Sequence, residues 1–489
     1  MSDFPLTYCN PIPLPDYPRG RACRDKSGGW GWRNNGRAVD FRETADPSVL
    51  FHDGTWYLYP SCGMAWVSED FCTWRHAPMN LDDVGYAPTI MAHKGRFYLT
   101  ASGHPTLYVA DNPLGPWENA GTITDPDGRP LPNFADPMYF ADDDSRVYLY
   151  WGCGGAGILG AEMDAEHPAR ALTPTRLLFA YNPDHVWERY GPFNEDPSIS
   201  WMEGAWMFKS GVTYYLTYTS PGTQFPNYGM GVYTAASPLG PFAYAPRNPF
   251  LIDTEGLVQG PGHGCLVRGP RDTVWVFYTC LVGYHHNFER RIGFDPAGFD
   301  ADGNLYVKGA SEWPQWAPGL LPNPAESNDT GWLPLCVMKG TRASSEAPGR
   351  TTLYAVDNNI RTWWQPADDD NEPWLTVNFD ASYTVHACRL VWAEPGLDYD
   401  NGVTPGPFKY RVEIREKEED PWQTVVDKTD NDIDLLIDYT PFPAREARFA
   451  RLVITGWPRG IRPGVVDFQL FGTGHYPPPG KFGVWPPDK

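Results

Sequence analysis

The sequence is short of paired cysteines, of long apolar runs and of positive charge. Its nine cysteines, at 9, 23, 62, 72, 153, 265, 280, 336 and 388, are odd in number and scattered, and no Cys-x-x-Cys occurs. This speaks against a zinc site and against a disulfide scaffold. No run approaches the roughly 18 consecutive apolar residues that a membrane-spanning helix needs. Lys and Arg number 39 against 60 Asp and Glu, a net charge of −21, and no local basic patch offsets it. Such a surface repels phosphate backbones and anionic lipid, so neither nucleic acid nor a membrane is an expected partner. The opening Met1-Ser2-Asp3-Phe4-Pro5 has neither the basic nor the apolar region of a signal peptide. Free thiols and no leader point to the reducing cytoplasm; a secreted chain that had lost its leader would read the same way.

What is abundant gives the fold class. The 489 residues suffice for two to four domains at roughly 150 residues each. Hydrophobic residues make up 42% and aromatics 15%, enough for a sizeable core and too much for a disordered chain. The 49 Gly and 51 Pro supply many turns, and the 21 Trp, 27 Tyr and 24 Phe favour strands, so an all-β protein of short strands is expected. Aromatics at this density also suit stacking on sugar rings, although large core residues account for most of them.

Five segments repeat one plan, a short β run, a tight turn and an aromatic β run. They are Ala45–Tyr59, Tyr86–Leu99, Ala135–Tyr150, Glu203–Leu216 and Gly262–Phe277. Asp53-Gly54 in the first is a strong two-residue hairpin signal. Ala110–Trp117 and Ala236–Phe242 are near copies and read as the turn into a later strand. Repeats of this kind are the signature of propeller blades, so five blades are expected over about residues 8–310.

Counting back from the apolar residue at the centre of each second run aligns the repeats. Asp46 and Ala87 lie twelve residues before Leu58 and Leu99; Asp136, Glu203 and His263 lie thirteen before Leu149, Leu216 and Val276. One position at the head of each innermost strand therefore carries Asp, Ala, Asp, Glu and His. In a propeller such positions ring the central channel, which would bring three carboxylates and a histidine to one cavity, His263 below the acids. Any one of them alone could be turn chemistry, since Asp-Pro commonly opens strands. Three acids at one register, one of them a glutamate with no turn preference, point to a shared site.

With Ala45-Asp46-Pro47-Ser48-Val49, Asp136-Pro137 with Phe140 and Asp142-Asp143-Asp144, Glu203-Gly204, and Gly260-Pro261-Gly262-His263-Gly264, the sequence resembles glycoside hydrolase family 43, the five-bladed propeller glycosidases. The resemblance implies Asp46 as general base on water, Glu203 as general acid, and Asp136 as the residue that orients Glu203 and tunes its acidity. It also implies inversion, with the two working carboxyl groups about 6.5–9.5 Å apart. Arg290 or Arg291 matches an arginine that contacts substrate, and the two are not separable from sequence. His263 matches a channel histidine that sits beside a bound calcium or its water. Calcium takes oxygen ligands, so the imidazole would hold a calcium-bound water rather than the ion. No organic cofactor is implied. Lys209 fits the family pattern and reads as structural. The sequence departs from that pattern in a long insert between Asn10-Pro11 and Asp46 that includes Gly28–Gly36 and is either a surface loop or a rim carrying Trp30, Trp32 and Arg33 to substrate.

The expected domains are a propeller over 1–312, a Pro-rich linker over 313–329, a β-sandwich over 330–474 and a Pro-rich tail over 475–489. Ala343–Glu346, Ala355–Trp364 and Val466–Gly472 resemble the discoidin, or coagulation-factor C-type, domain. The resemblance implies a domain that binds sugars through its loops, in some members with a structural calcium, or that only supports the propeller. Asp368-Asp369-Asp370 reads as a cation neighbour or as a solvated acidic loop. The whole reads as an exo-acting inverting glycosidase on the side chains of an oligo- or polysaccharide, α-L-arabinofuranosidase first. β-D-galactofuranosidase, β-xylosidase and exo-galactanase are the alternatives on the same scaffold, and a non-catalytic carbohydrate-binding propeller is the alternative of another class. The sequence leaves the oligomeric state open.

Overall fold

The computed structural model describes residues 7–18, 24–25, 39–81, 84–283, 285–286 and 288–474. Five antiparallel sheets follow one another in the chain, the fourth with five strands and the others with four. The innermost strands are Ser48–His52, Thr89–His93, Met138–Ala141, Glu203–Ser210 and Gly262–Arg268, each paired with the next strand of its own blade. These five touch one another in sequence around a ring, the fifth closing on the first. The expected five-bladed propeller is therefore present. Its first hairpin turns on Asp53-Gly54, both at positive φ, as a two-residue turn requires.

The blades bury their aromatic faces against each other. Trp66, Phe71, Trp275, Phe277 and Phe294 form one inter-blade core between the first and last blades. Tyr148, Tyr150, Leu216 and Tyr218 form another between the third and fourth. The N-terminal strand Thr7–Tyr8 pairs with Gln315–Trp316, just past the last blade. Asn10 is wholly buried there, bonded to Phe294 in both directions.

The second unit is a β-sandwich. Two twenty-residue strands, Trp374–Ala393 and Ile437–Gly456, lose register together between Asn378 and Ala387. The break lets one sheet serve two layers around Trp364, Leu375, Phe379, Leu390, Trp392 and Phe468. Asp370 accepts bonds from Ser344 and Ser345, both at 2.5 Å, so this part of the acidic run ties one loop to another.

The sandwich sits on the propeller through side chains of both. Leu257 and Val282 of the propeller pack with Ile360, Val391, Ile437 and Val466. Arg389, wholly buried, donates to Asp467 of its own domain and to the backbone oxygens of Asn10 and Glu312. Arg42 is gripped by Glu394 and Asp434. No helix among the described residues is long and apolar enough to cross a membrane, and the eight described cysteines are free.

Candidate active site

Strand pairing gives the blade register directly. Val49 faces Leu58, Ile90 faces Leu99, Tyr139 faces Leu149, Met207 faces Leu216 and Leu266 faces Val276. Three residues before each inner partner stand Asp46, Ala87, Asp136, Gly204 and His263. All five have left-handed backbone, with φ of 53°, 50°, 49°, 63° and 39°. Four non-glycine residues in that region, at one register, mark a conformation that the fold imposes at the channel mouth.

The alignment of Glu203 with Asp46 and Asp136 is thus off by one, because Gly204 holds the equivalent position. The fourth hairpin turns in two residues, like the first, whereas the third and fifth are a residue longer. Glu203 stands one residue upstream, opposite Thr219, and its counterpart in the fifth blade is Gly262, opposite Thr279. A Cβ at Gly262 would lie 2.1 Å from the ring of Tyr228, so glycine leaves room for that ring. Tyr228 in turn donates to Glu203 Oε1 at 2.7 Å.

A second repeat, missed in the sequence, sets the acids in place. Three residues past each aligned Leu or Val stand Ser61, Ser102, Gly152, Thr219 and Thr279. Ser61 Oγ accepts the Ala87 N–H at 2.9 Å and donates to Asp46 Oδ2 at 2.6 Å. Ser102 Oγ accepts the Asp136 N–H at 2.7 Å and donates to Asp136 Oδ1 at 2.9 Å. Thr279 Oγ1 accepts the Asp46 N–H at 2.9 Å. Gly152 has no hydroxyl to offer, and the Gly204 N–H turns instead to Asp136 Oδ2 at 3.1 Å.

His263 lies between the acids rather than below them. Its Nδ1 is 3.4 Å from Asp46 Oδ1 and 3.4 Å from Asp136 Oδ2. Of the two candidate arginines, Arg290 belongs to the site. Its two terminal nitrogens meet the two oxygens of Asp46, both at 2.9 Å, while its Nε donates to Glu43 at 2.8 Å. Thr223 Oγ1 accepts a further bond at 3.0 Å, and the rings of Phe288 and Tyr86 flank the guanidinium. With its donors engaged in this way, Arg290 holds the carboxylate rather than reaching for substrate. Arg291 points away, donating to the carbonyls of Arg42 and Arg290. Trp30, Trp32 and Arg33 lie outside the described residues. Lys209 binds Asp142 at 2.6 Å and Asp143 at 2.9 Å, outside the acid cluster.

The carboxyls of Asp46 and Glu203 are driven in opposite directions. Burial pushes Asp46 up, but the Arg290 guanidinium, His263 and Ser61 outweigh it and hold Asp46 below the ordinary carboxylate value. Burial first, and the charge of Asp136 second, push Glu203 up to about 7. Burial is thus the larger cause, where the sequence had pointed to Asp136. His263 first, and then Tyr228 and Cys153, whose Sγ lies 3.3 Å from Glu203 Oε2, favour the ionised form and limit the rise. Removing the Tyr228 hydroxyl is therefore expected to raise the Glu203 pKa further. Tyr228→Phe should move the alkaline limb of the kcat/KM profile to higher pH; a limb unmoved or shifted downward would remove Tyr228 from the acid's environment.

The calcium expected near His263 finds few ligands. Among the described residues no three His, Cys, Asp or Glu side chains are arranged to hold a metal ion. Calcium needs six to eight oxygens, and the two carboxylates facing His263 are already engaged by Arg290, Ser61, Ser102 and Gly204. The side chains do not fit a directly ligated ion.

The sequence model of "Glycosyl hydrolases family 43" matches residues 42–305, which hold the whole acid cluster and more than half of the chain. The chain belongs to glycosyl hydrolase family 43. Residues 340–464 match the F5/8 type C domain. The "Arabinoxylan arabinofuranohydrolase" of Bacillus subtilis (strain 168) is 30% identical over 193 residues, 34% of this chain and 34% of that protein. The "Beta-xylosidase" of Xylanibacter ruminicola is 26% identical over 243 residues, 43% of this chain and 70% of that protein. The match to the Bacillus relative thus spans about a third of that protein's length. Among solved structures, a thermostable family-43 glycoside hydrolase shares the fold with a TM-score of 0.50 at 24% identity, over 64% of this chain and 99% of that one.

Proposed function

We propose that this family 43 protein is an inverting, exo-acting glycosidase that removes terminal furanose or pentose units from polysaccharide side chains, α-L-arabinofuranosides first. The observation that carries the reading is the split between its carboxyls. Hydrolysis of a glycoside needs one carboxyl protonated and another ionised at the same pH. Glu203, raised to about 7, is the one that keeps its proton, and Asp46, lowered by Arg290, is the one that stays charged.

The steps follow from that split. Asp46 takes a proton from water as the water attacks the anomeric carbon. Glu203 gives its proton to the departing glycosidic oxygen on the opposite face. The charge of Asp136 opposes ionisation of Glu203, and its Oδ2 is held by the N–H of Gly204, the residue after the acid. Water attack on the face away from the leaving group inverts the anomeric centre.

The name of the Bacillus relative supports arabinofuranose as the sugar, and that of the Xylanibacter relative supports β-xylose as a second reading. A panel of 4-nitrophenyl furanosides and xylosides tests both, with release from the α-L-arabinofuranoside expected. Release from none of them would sink the substrate assignment, and early NMR spectra showing retained anomeric configuration would sink inversion. A protein that only bound sugar would have no use for a matched acid and base.

The pH dependence has a definite sign. Activity should fall as pH rises through about 7, where Glu203 loses the proton it must donate. It should fall on the acid side only below the ordinary carboxylate range, where Asp46 at last protonates. The kcat/KM profile of the free enzyme is therefore a bell centred on the acid side of neutrality. A profile flat through pH 8 would contradict the assignment of Glu203. Free cysteines favour a reducing compartment for the protein. A calcium held by His263 through its hydration shell is carried by the resemblance alone; an unchanged thermal melt after chelation would remove it.

A further inference from the structure

Arg42, Glu43 and Thr44 are consecutive, all buried, and each bonds in a different direction. Arg42 reaches out of the propeller into the sandwich. Its Nε donates to Glu394 Oε2 at 2.7 Å and a terminal nitrogen meets Glu394 Oε1, while both terminal nitrogens donate to Asp434, each at 2.9 Å. Glu43 turns inward and accepts from Arg290 Nε at 2.8 Å. The Thr44 N–H and hydroxyl both donate to the Arg290 carbonyl at 3.3 Å. The Arg42 carbonyl accepts from Arg291 at 2.8 Å. Arg290 then holds both oxygens of Asp46.

A buried ion pair is a poor adhesive, because desolvation consumes most of its attraction and apolar groups would hold two domains as well. What it supplies is geometry: a planar guanidinium gripped by two carboxylates is fixed in position and in plane. Here the fixed group lies one residue from the anion that orients Arg290. We propose that Arg42, clamped by Glu394 and Asp434, is a positioning residue for Asp46, so that the sandwich domain sets the placement of the catalytic base. The sandwich is on this view part of the active-site support as well as a neighbour of it. The proposal rests on the reading of Asp46 as base.

The groups that face Asp46 are Arg290, His263 and the Tyr228 phenol; those that face Arg42 are Glu394, Asp434, Tyr17 and Tyr399. None of them is altered by the test except the two sandwich carboxylates. The double variant Glu394→Gln/Asp434→Asn keeps acceptors for Arg42 and removes their charge. Loosening residues 42–44 lets Arg290 drift from Asp46. We expect kcat per folded molecule to fall about ten- to a hundred-fold, the scale of a small misplacement of a reacting group. The acid limb of kcat/KM should move to higher pH while the alkaline limb, set by Glu203, stays.

The uncompensated Arg42 could stop the double variant from folding. Adding Arg42→Met removes all three charges together and leaves none buried alone, and the same limb shift is expected. Unchanged kcat, or a fall in kcat with an unmoved acid limb, overturns the proposal, since the loss would not pass through Asp46. A carbon-13 NMR titration of the Asp46 carboxyl in the native protein and in both variants needs no turnover. If the native protein cleaved no glycoside, the functional reading would fall, while this titration would still show whether the clamp sets the environment of Asp46.

Discussion

Asparagine in place of Asp46 is expected to lower kcat by about 10²- to 10⁴-fold, the contribution of a positioned general base. That corresponds to about 3–5 kcal/mol of barrier. Asn keeps the size of the side chain and one acceptor oxygen, which can serve either Arg290 with the imidazole or Arg290 with Ser61, while its amide nitrogen takes the place of the other oxygen and meets the second Arg290 donor. It cannot take a proton from water. The charge is lost as well, and Arg290, with Glu43 as its remaining anionic partner among the described residues, is left partly uncompensated in a buried place. A lower Tm is therefore expected together with the lower kcat, and turnover must be referred to folded protein. The acid limb of the pH profile should vanish, because the group that produces it no longer titrates. Near-normal turnover in Asp46→Asn would show that another group, a hydroxyl of the substrate included, activates the water.

How much of this was legible in the sequence depends on what each feature repeats. The five blades announced themselves because an alternating β run, a tight turn and an aromatic run recur in every one. Asp46, Asp136 and His263 were legible for the same reason, since a shared register means a shared place in the ring. Glu203 was found by the same count but placed one residue off. Hairpin length varies by one residue among blades, and only the pairing of Met207 with Leu216 shows that Gly204 is the true counterpart. The hydroxyl series Ser61, Ser102, Thr219 and Thr279 was equally periodic, and counting forward from the same anchors would have found it. Tyr228 was not legible, because its role depends on the space left by Gly262 in the next blade. The Arg42 clamp was not legible either. Its partners stand more than 350 positions away, and no periodicity links one domain to the other. Arg290 and Arg291 could not be told apart until a strand fixed which of two adjacent side chains faces the channel.

The acid is the more informative target, because its loss can be made to depend on the substrate. In Glu203→Gln the amide oxygen can still accept from Tyr228 and the amide nitrogen replaces the oxygen beside Cys153, so the fold should be undisturbed. A buried carboxyl that already favours its neutral form gives way to a group that is always neutral, and no Tm penalty from burial is expected. What disappears is the proton. An oligosaccharide leaves as a strongly basic alkoxide unless it is protonated in the transition state, and kcat on such a substrate should fall about 10³- to 10⁴-fold. A nitrophenolate leaves without help, and kcat on the nitrophenyl glycoside should fall about tenfold or less. The alkaline limb near pH 7 should disappear on both substrates. Equal losses on the two would place Glu203 outside proton transfer to the leaving group. Asp136 would then be the remaining candidate, and the same pair of substrates applied to Asp136→Asn would decide between them.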